Sequence, residues 1–265
     1  MAILAASPES SAIVIQPHPV LPRYYQDEDH RRPFVKRMFD DAAPQYDRLE
    51  TLMSFGSGSW YRRQALKRAG LLPGMKVLDV AVGTGLVARE ALEIVGSAGR
   101  VIGIDPSIGM LSQAAGSLPI GLVQGRAEEL PFAPDAFDFL CMGFALRHVS
   151  DLTRTLRQFI SVLKPGGILL ILEITAPPRG IRRRVMADFV QRLVPALSRL
   201  LPGMRTSQTP NSGRLMMEYY WDTMTHCVDP EQVLQTIAAS GFSQPRRRTE
   251  LGIFSEYTAA KPSAG

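Results

Sequence analysis

The chain has 265 residues, of which 45% are hydrophobic and 21% are charged. This composition suits one large globular domain, with or without a small cap, and excludes a disordered chain. The formal net charge of +5 is modest for this length, and no dense basic tract with interleaved aromatic residues is present, so we expect no nucleic-acid partner.

Cysteine usage and hydropathy narrow the class further. Cys141 and Cys227 lack the spacing of zinc ligands. No convincing secretory signal is found, and no apolar run reaches the roughly 20 residues that cross a bilayer. We therefore expect a cytoplasmic protein with reduced thiols and no metal site.

The first third of the chain predicts an arm followed by helices. Residues 1–32 are rich in proline, serine and charge without sustained periodicity, which predicts a flexible N-terminal arm. A helical pattern begins at Pro33, and a second helix is predicted over 60–69, after a glycine-rich turn at 54–58.

Short apolar runs then alternate with helical stretches. Strands are predicted at 76–81, 101–104, 120–123, 137–142 and 168–174, with a turn at 164–167. This alternation predicts a doubly wound α/β fold with a mostly parallel sheet. Residues 179–229 break the pattern and predict a helical cap inserted in a single domain over 33–265. A helix at 230–239 and two extended runs complete the chain.

In an open α/β sheet, ligands bind beyond the carboxyl ends of the strands. The first such end has the sequence DVAVGTG over 79–85, where Gly83 and Gly85 let a ligand approach the backbone closely. Asp105 ends the second strand, and a carboxylate there can accept both ribose hydroxyls of an adenosine. The sequence therefore predicts a nucleoside-containing ligand at this edge.

Three interpretations of this edge stay open. Residues 83–88 also fit the dinucleotide pattern G-x-G-x-x-A, and the segment can be a tight turn without a ligand. Asp79 argues against a dinucleotide because it would repel a pyrophosphate, whereas it can hold the amino group of a methionine moiety. A methyl donor is favoured, and an NAD(P)-dependent oxidoreductase is the alternative.

Further motifs carry a family resemblance. They are MFDDAAPQYD (38–47), LMSFG (52–56), VLDVAVGTG (77–85), AEELPF (127–132), FALR (144–147) and VLKPGG (162–167). On these motifs the chain resembles class I S-adenosylmethionine-dependent methyltransferases, and more narrowly the ubiquinone/menaquinone C-methyltransferase family. The resemblance implies S-adenosyl-L-methionine as the cofactor and a sheet of seven strands, the last antiparallel.

The strand ends and the resemblance together give the candidate donor site. Its residues are Asp79, Gly83, Thr84, Gly85, Asp105, Pro106, Met110, Arg126, Ala127 and Gly143. Many relatives carry Asp or Asn at the place of Arg126. Arginine cannot accept a hydrogen bond, so adenine is expected to depend on the backbone N–H of Ala127. The chain also departs from the family at Val82, at Leu86 and at His148, where the family has asparagine.

Three residues are catalytic candidates. Arg147 is a permanent cation that can stabilise the oxyanion of a phenolic or enolic acceptor, or it can pair with Asp151 at helical spacing. His148 can take the acceptor's proton near neutral pH, or it can be a solvated residue before the next helix. Tyr46 is expected to close over the donor, as its family position implies, with helix packing as its alternative.

An aromatic and ionisable cluster on the predicted cap supplies acceptor candidates. Tyr220, Trp221 and His226 can line an aromatic acceptor pocket, together with Phe144, which the resemblance places between donor and acceptor. Ordinary packing of the cap helix is the alternative. Glu173, at the end of the fifth strand, is expected either to face the same cavity or to pair with an arginine.

Residues 181–201 form a basic amphipathic pattern. Apolar residues follow helical spacing, arginines are interspersed, and Pro195 is expected to kink or split the helix. Such a helix can lie on an anionic membrane, or it can pack its apolar face on the domain as a cap. Peripheral membrane contact is therefore one of two hypotheses for this segment.

The sequence predicts transfer of a methyl group to carbon of a phenolic, quinol or polyketide-like small molecule, in quinone biosynthesis or secondary metabolism. O- or N-methylation of a small aromatic or a lipid head group is the alternative, because the donor site is indifferent to the acceptor atom. The oligomeric state stays open, with a homodimer as one hypothesis.

Overall fold

The structure is a computed structural model that describes residues 14–200 and 212–263. The first 13 residues of the predicted arm and residues 201–211 of the predicted cap lie outside the described residues. Seven strands form one sheet in the order β3-β2-β1-β4-β5-β7-β6. They are β1 Lys76–Val80, β2 Arg100–Asp105, β3 Gly121–Gln124, β4 Phe137–Gly143, β5 Leu163–Ile174, β6 Ser243–Glu250 and β7 Phe254–Ala260.

Strands β1 to β5 pair in parallel, and β7 pairs antiparallel with both β5 and β6. The predicted doubly wound, mostly parallel α/β fold is confirmed. The helices are α1 Glu28–Ala42, α2 Tyr46–Ser54, α3 Gly58–Arg68, α4 Leu86–Val95, α5 Ile108–Ser117, α6 Leu152–Val162, α7 Ile181–Asp188, α8 Val194–Leu200, α9 Ser212–His226 and α10 Pro230–Ala239.

Both faces of the sheet are buried. Successive residues of a strand point to opposite faces, so Val77 and Leu78 of β1 belong to two different core clusters. The Leu78 cluster is covered by α6 and α10, whereas the Val77 cluster is covered by α3 and α4. Burial on both sides explains why the central strands read as continuous apolar runs rather than as alternating ones.

The described part of the predicted arm, residues 14–32, is packed against the domain and differs from a flexible segment. Leu21 and Tyr25 are buried in a third cluster with residues of α1, α2 and α9. Helix α1 begins at Glu28, and the side chain of Asp27 accepts the backbone N–H of His30 as an N-cap. Because this segment buries Leu21 and Tyr25 without forming a regular element before α1, periodicity could not reveal its packing.

The basic segment at 181–200 is split as predicted. A π-helical turn, Phe189–Leu193, separates α7 from α8. Pro195 follows this turn closely and has no N–H with which to continue an α-helical ladder, which agrees with the division at this point. Across the described ranges, no helix is both long enough and apolar enough to cross a membrane.

The predicted turn at 164–167 lies inside β5. Phe137 pairs with Leu163 and Phe139 pairs with Ile168, so the residues between the two β5 partners bulge out of the ladder. Glycine and proline therefore mark an irregularity within the strand rather than its start.

Candidate active site

A cavity of about 270 Å³ lies at the carboxyl ends of β1, β2 and β4. Its walls include these predicted site residues: Tyr46, Gly83, Asp105, Pro106, Met110, Arg126, Ala127, Gly143, Phe144, His148 and Tyr220. The structure thus brings most of the predicted donor site together with part of the predicted acceptor site.

Asp105 lies at the centre of the donor end. Its Oδ1 accepts the backbone N–H of Ser107 at 2.8 Å, and its Oδ2 accepts that of Gly83 at 2.9 Å. Burial raises the pKa of this carboxyl to about 6, although both hydrogen bonds act in the opposite direction. Gly83 has a φ of +57°, a conformation that glycine adopts without strain and that aims its N–H at Asp105.

Two residues without this freedom also adopt left-handed backbone conformations in the cavity wall. Ala81 has a φ of +56° and Phe144 a φ of +59°, and each follows directly after a strand, β1 and β4 respectively. Left-handed non-glycine residues cost free energy and concentrate at functional sites. At both residues the chain turns sharply where a strand meets the cavity, and the left-handed backbone is the strained conformation that this turn requires.

Asp79 lies beneath the cavity rather than in its wall. Its side chain is buried beside the Cys141 thiol and the Ala88 N–H, which act to lower its pKa, but neither carboxylate oxygen has a well-formed hydrogen bond or a salt bridge among the described residues. Burial raises the pKa of this carboxyl to about 7. An unpaired buried carboxylate is costly, and a cationic ligand group would supply the missing partner.

Thr84 and Gly85 also lie outside the wall, where they support the loop. The Thr84 hydroxyl donates to Oδ1 of Asp47 at 2.5 Å, which ties the loop to α2. Gly85 has a φ of +92° at the start of α4, and a Cβ at this position would overlap the side chain of Leu118. These two predicted site residues therefore shape the loop without facing the cavity.

Helix α1 forms the outer wall of the cavity, which the sequence did not predict. Phe39 and Lys36 line it, and Asp40 anchors the helix by accepting the Ser107 hydroxyl at 2.6 Å and the Gly109 N–H at 3.0 Å. The helical pattern at this place was visible, but its position over the strand ends depends on contacts distant in sequence.

His148 lies at the acceptor end among aromatic rings. Its ring stacks on Tyr219 with centroids 5.6 Å apart and meets Phe39 edge-on at 5.2 Å. Neither ring nitrogen has a hydrogen-bond partner among the described residues. Burial, with nearby Arg147, His18 and Arg31, holds the pKa of the imidazole well below its ordinary value. The ring is therefore neutral at physiological pH.

Two tyrosines face the same space. The Tyr220 hydroxyl donates to the Tyr46 hydroxyl at 3.2 Å, which leaves the proton of Tyr46 for another acceptor. Burial raises the pKa of both hydroxyls, so both stay protonated. The pair joins α2 to the cap helix α9 across the cavity.

Arg147 does not line the cavity, contrary to its predicted place at the acceptor. Its guanidinium forms a buried ion pair with Glu173 and lies 4.8 Å from the Tyr220 ring centroid. It does not pair with Asp151, whose side chain instead caps α6. Glu173 thus follows the predicted alternative of pairing with an arginine, a contact between two strand ends that helical spacing cannot indicate.

Trp221 and His226 also lie outside the cavity wall. Trp221 packs against the third core cluster, and the Nδ1 atom of exposed His226 is 2.7 Å from the carbonyl oxygen of Asp222. On one helix, residues one and six positions after Tyr220 point about 100° and 240° away from it. The acceptor prediction for α9 therefore holds geometrically for Tyr220 alone.

Solved structures of other proteins share this fold. An S-adenosylmethionine-dependent methyltransferase of Thermotoga maritima is 20% identical with a TM-score of 0.59, covering 85% of this chain and 99% of that one. The [4+2]-cyclase SpnF is 18% identical with a TM-score of 0.62, covering 94% and 100%. At these identities the likeness shows the fold alone. The fold is that of the class I S-adenosylmethionine-dependent methyltransferases.

Sequence relatives give the family. The model of the ubiE/COQ5 methyltransferase family matches residues 25–212. A demethylmenaquinone methyltransferase of Renibacterium salmoninarum is 34% identical over 217 residues, 81% of this chain and 86% of the relative. The ubiquinone/menaquinone biosynthesis C-methyltransferase UbiE of Shewanella putrefaciens is 32% identical over 225 residues, 82% and 86%. The chain belongs to the ubiE/COQ5 methyltransferase family and uses S-adenosylmethionine, which sets aside the NAD(P)-dependent alternative.

Proposed function

We propose that this methyltransferase acts on a ring carbon of a phenolic or quinol acceptor, in keeping with its relatives, a demethylmenaquinone methyltransferase and a ubiquinone/menaquinone biosynthesis C-methyltransferase. One observation carries the proposal: a single cavity joins Asp105 at a nucleoside end to the aromatic rings around His148. Flat apolar walls with a few polar groups suit an aromatic acceptor.

The residues present fit the donor. S-adenosylmethionine supplies a methyl group on a positively charged sulfur, which makes that carbon electrophilic. Asp105 would accept the ribose hydroxyls, and the backbone of Ala127 would face the adenine, because Arg126 cannot accept its amino protons. Asp79, which has no well-formed hydrogen bond among the described residues, would balance the ammonium group of the methionine moiety.

At the acceptor end, the ring carbon becomes nucleophilic when the neighbouring hydroxyl loses its proton. Neutral His148 would take that proton transiently on a ring nitrogen that has no partner among the described residues; burial and nearby cations lower its pKa and so oppose lasting protonation. Tyr46 would donate its free proton to the resulting oxyanion. After the carbon–carbon bond forms, His148 would return the first proton to the ring oxygen and take the proton of the methylated carbon, which restores the aromatic ring and accounts for the one proton released per methyl group. Arg147 would act as a positioning residue, because its guanidinium lies against the Tyr220 ring and helps to hold that ring in the cavity wall.

The test is turnover of a defined acceptor. The full chain is incubated with S-adenosylmethionine and a short-chain demethylmenaquinone, kept reduced by dithionite. We expect a product heavier by one methyl unit with the new carbon on the ring, identified by mass spectrometry and proton NMR. A methyl ether would instead establish the O-methyl alternative, and absence of S-adenosylhomocysteine with every phenol and quinol tried would refute the proposal.

We further propose that α7 contacts an anionic lipid surface, where a prenylated acceptor resides. Ile181 and Val185 are 79% and 63% exposed on this helix, and arginines 182–184 follow between them. Phe55, 83% exposed, stacks on Phe189 with centroids 5.3 Å apart and enlarges the apolar surface. Exposed apolar residues beside cations are the composition of an interfacial helix.

Vesicle co-sedimentation tests this contact. Ile181→Glu with Val185→Glu should abolish binding to vesicles with 30% phosphatidylglycerol, whereas Leu251→Glu, at an 86% exposed position outside the helix, should bind normally. Equal binding of the three proteins would refute the proposal. If the double variant instead converts a dimer to a monomer in light scattering, the surface belongs to a homodimer.

A further inference from the structure

Residues 15–32, here called the N-terminal strap, join the loop that carries His148 to the end of the cap. The backbone N–H of Leu152, at the start of α6, donates to the carbonyl of Ile15 at 2.9 Å. The N–H of Val228, just after α9, donates to the carbonyl of Pro17 at 2.7 Å. The strap thereby bridges two segments that flank the acceptor end of the cavity.

Two buried side chains of the strap reach toward the catalytic loop. Arg31 and His18 are each 1% exposed, and Nη2 of Arg31 lies 2.9 Å from Nε2 of His18. Because a guanidinium can only donate, Nε2 of His18 accepts, and its Nδ1–H is left for the carbonyl of Pro19 at 2.8 Å. The same Nη2 atom donates to the carbonyl of Arg147 at 2.9 Å.

The backbone of Arg147 is therefore held from both sides. Its N–H donates to Oε2 of Glu173 at 3.3 Å, while its carbonyl accepts from Arg31. The next residue is His148, whose ring makes no hydrogen bond to any described residue and is oriented by packing alone. A shift of the Arg147 carbonyl would consequently move the imidazole.

From this geometry we infer that Arg31, fixed by His18, is a positioning residue that aims His148 at the acceptor. The inference rests on the proposed role of His148 in methyl transfer. The family match begins at residue 25, so His18 lies outside the matched segment. The strap thereby adds a contact that the matched segment does not itself contain.

The kinetic test compares four variants by turnover and by donor affinity. His18→Leu removes one acceptor of Arg31, whereas His18→Gln retains one near the position of Nε2. Arg31→Met removes the contacts to His18 and Arg147 and also the ion pair with Glu28, and Arg37→Met removes an exposed charge from the same helix. A displacement near 1 Å costs about 100-fold in rate. We expect His18→Leu and Arg31→Met to lose about that factor in kcat with the donor Kd within about twofold of wild type, and His18→Gln and Arg37→Met to stay close to wild type.

A second readout needs no acceptor, so that it separates failure of the inference from failure of the proposed function. The chain has four histidines, and ¹⁵N-histidine spectra with a His148→Gln reference assign the His148 resonances. They should shift in His18→Leu and Arg31→Met but not in His18→Gln or Arg37→Met. Wild-type His148 resonances in both disruptive variants would overturn the inference, as would equal kcat in His18→Leu and His18→Gln. If Arg31→Met does not fold, the two His18 variants decide.

Discussion

Donor affinity should depend on pH through the carboxyls under the glycine loop. Burial raises the pKa of Asp79 to about 7 and that of Asp105 to about 6. The donor brings a sulfonium and an ammonium, and these cations favour the ionised carboxylates. Binding should therefore strengthen as the pH rises through this window. The window ends near pH 7.5, because the α-amino group of the donor itself titrates at about 8 and loses its positive charge above that pH.

The size of the effect follows from the pKa of Asp79. Roughly a tenth of this carboxyl is ionised at pH 6 and roughly three-quarters at pH 7.5, so the apparent Kd should fall about eightfold between them. Asp105, with a pKa of about 6, is half ionised at pH 6 and almost fully ionised at pH 7.5, so it should add about a further twofold over the same range. Asp79→Asn should bind the donor weakly throughout and lose the eightfold change.

Without donor, the same groups affect stability with the opposite sign. Their folded-state pKa values lie above the ordinary value of 3.8, so folding favours the protonated forms. The resulting stabilisation is complete below about pH 4 and is lost as the pH rises through 6 and 7.

Isothermal titration calorimetry at pH 5.5, 6, 6.5, 7 and 7.5 measures the affinity for the donor. A pH-independent Kd, or an unchanged slope in Asp79→Asn, would refute the reasoning.

Three further variants probe separate parts of the site. Asp105→Ala should abolish donor binding in calorimetry, since it removes the predicted ribose acceptor; unchanged affinity would show that the donor lies elsewhere. Gly85→Ala should lower the free energy of unfolding by about 2 kcal/mol or more in urea, because the new Cβ overlaps Leu118 at a positive φ; no loss would contradict the loop geometry. Arg147→Met should cost about 3–5 kcal/mol by leaving Glu173 buried and unpaired, and adding Glu173→Leu should recover much of it; additive losses would argue against a direct pair.

The donor end could be predicted because its determinants are close together in sequence. Residues 79–85 leave one strand and Asp105 ends the next, and the rule for ligands at parallel strand ends then places them side by side. The hydrogen bond from Gly83 to Asp105 bears this out. Two consecutive strands, the loop after the first and the crossover between them were enough to predict this part of the site.

The acceptor end could not be predicted in the same way. The partner of Arg147 was sought four residues away at Asp151, whereas the structure supplies Glu173 from the neighbouring strand. Helix α1 was visible as a pattern, but nothing in its periodicity indicates that Phe39 faces the cavity. The strap is harder still, because His18 acts through Arg31 from a segment without regular structure.

Buried charged side chains lie around both ends of the cavity. Buried carboxylates lie at the donor end, at Asp79 and Asp105, and buried guanidiniums lie behind the acceptor end, at Arg31 and Arg147. In the proposed reaction a cationic methyl donor meets an anionic ring, so charge disappears as the new bond forms. Such a loss of charge is favoured in a site shielded from water. The two guanidiniums are themselves paired, Arg147 with Glu173 and Arg31 with Glu28, so they orient groups at the acceptor end without adding a net positive charge. The strap matters in this arrangement because it brings one guanidinium to the acceptor side from outside the sheet.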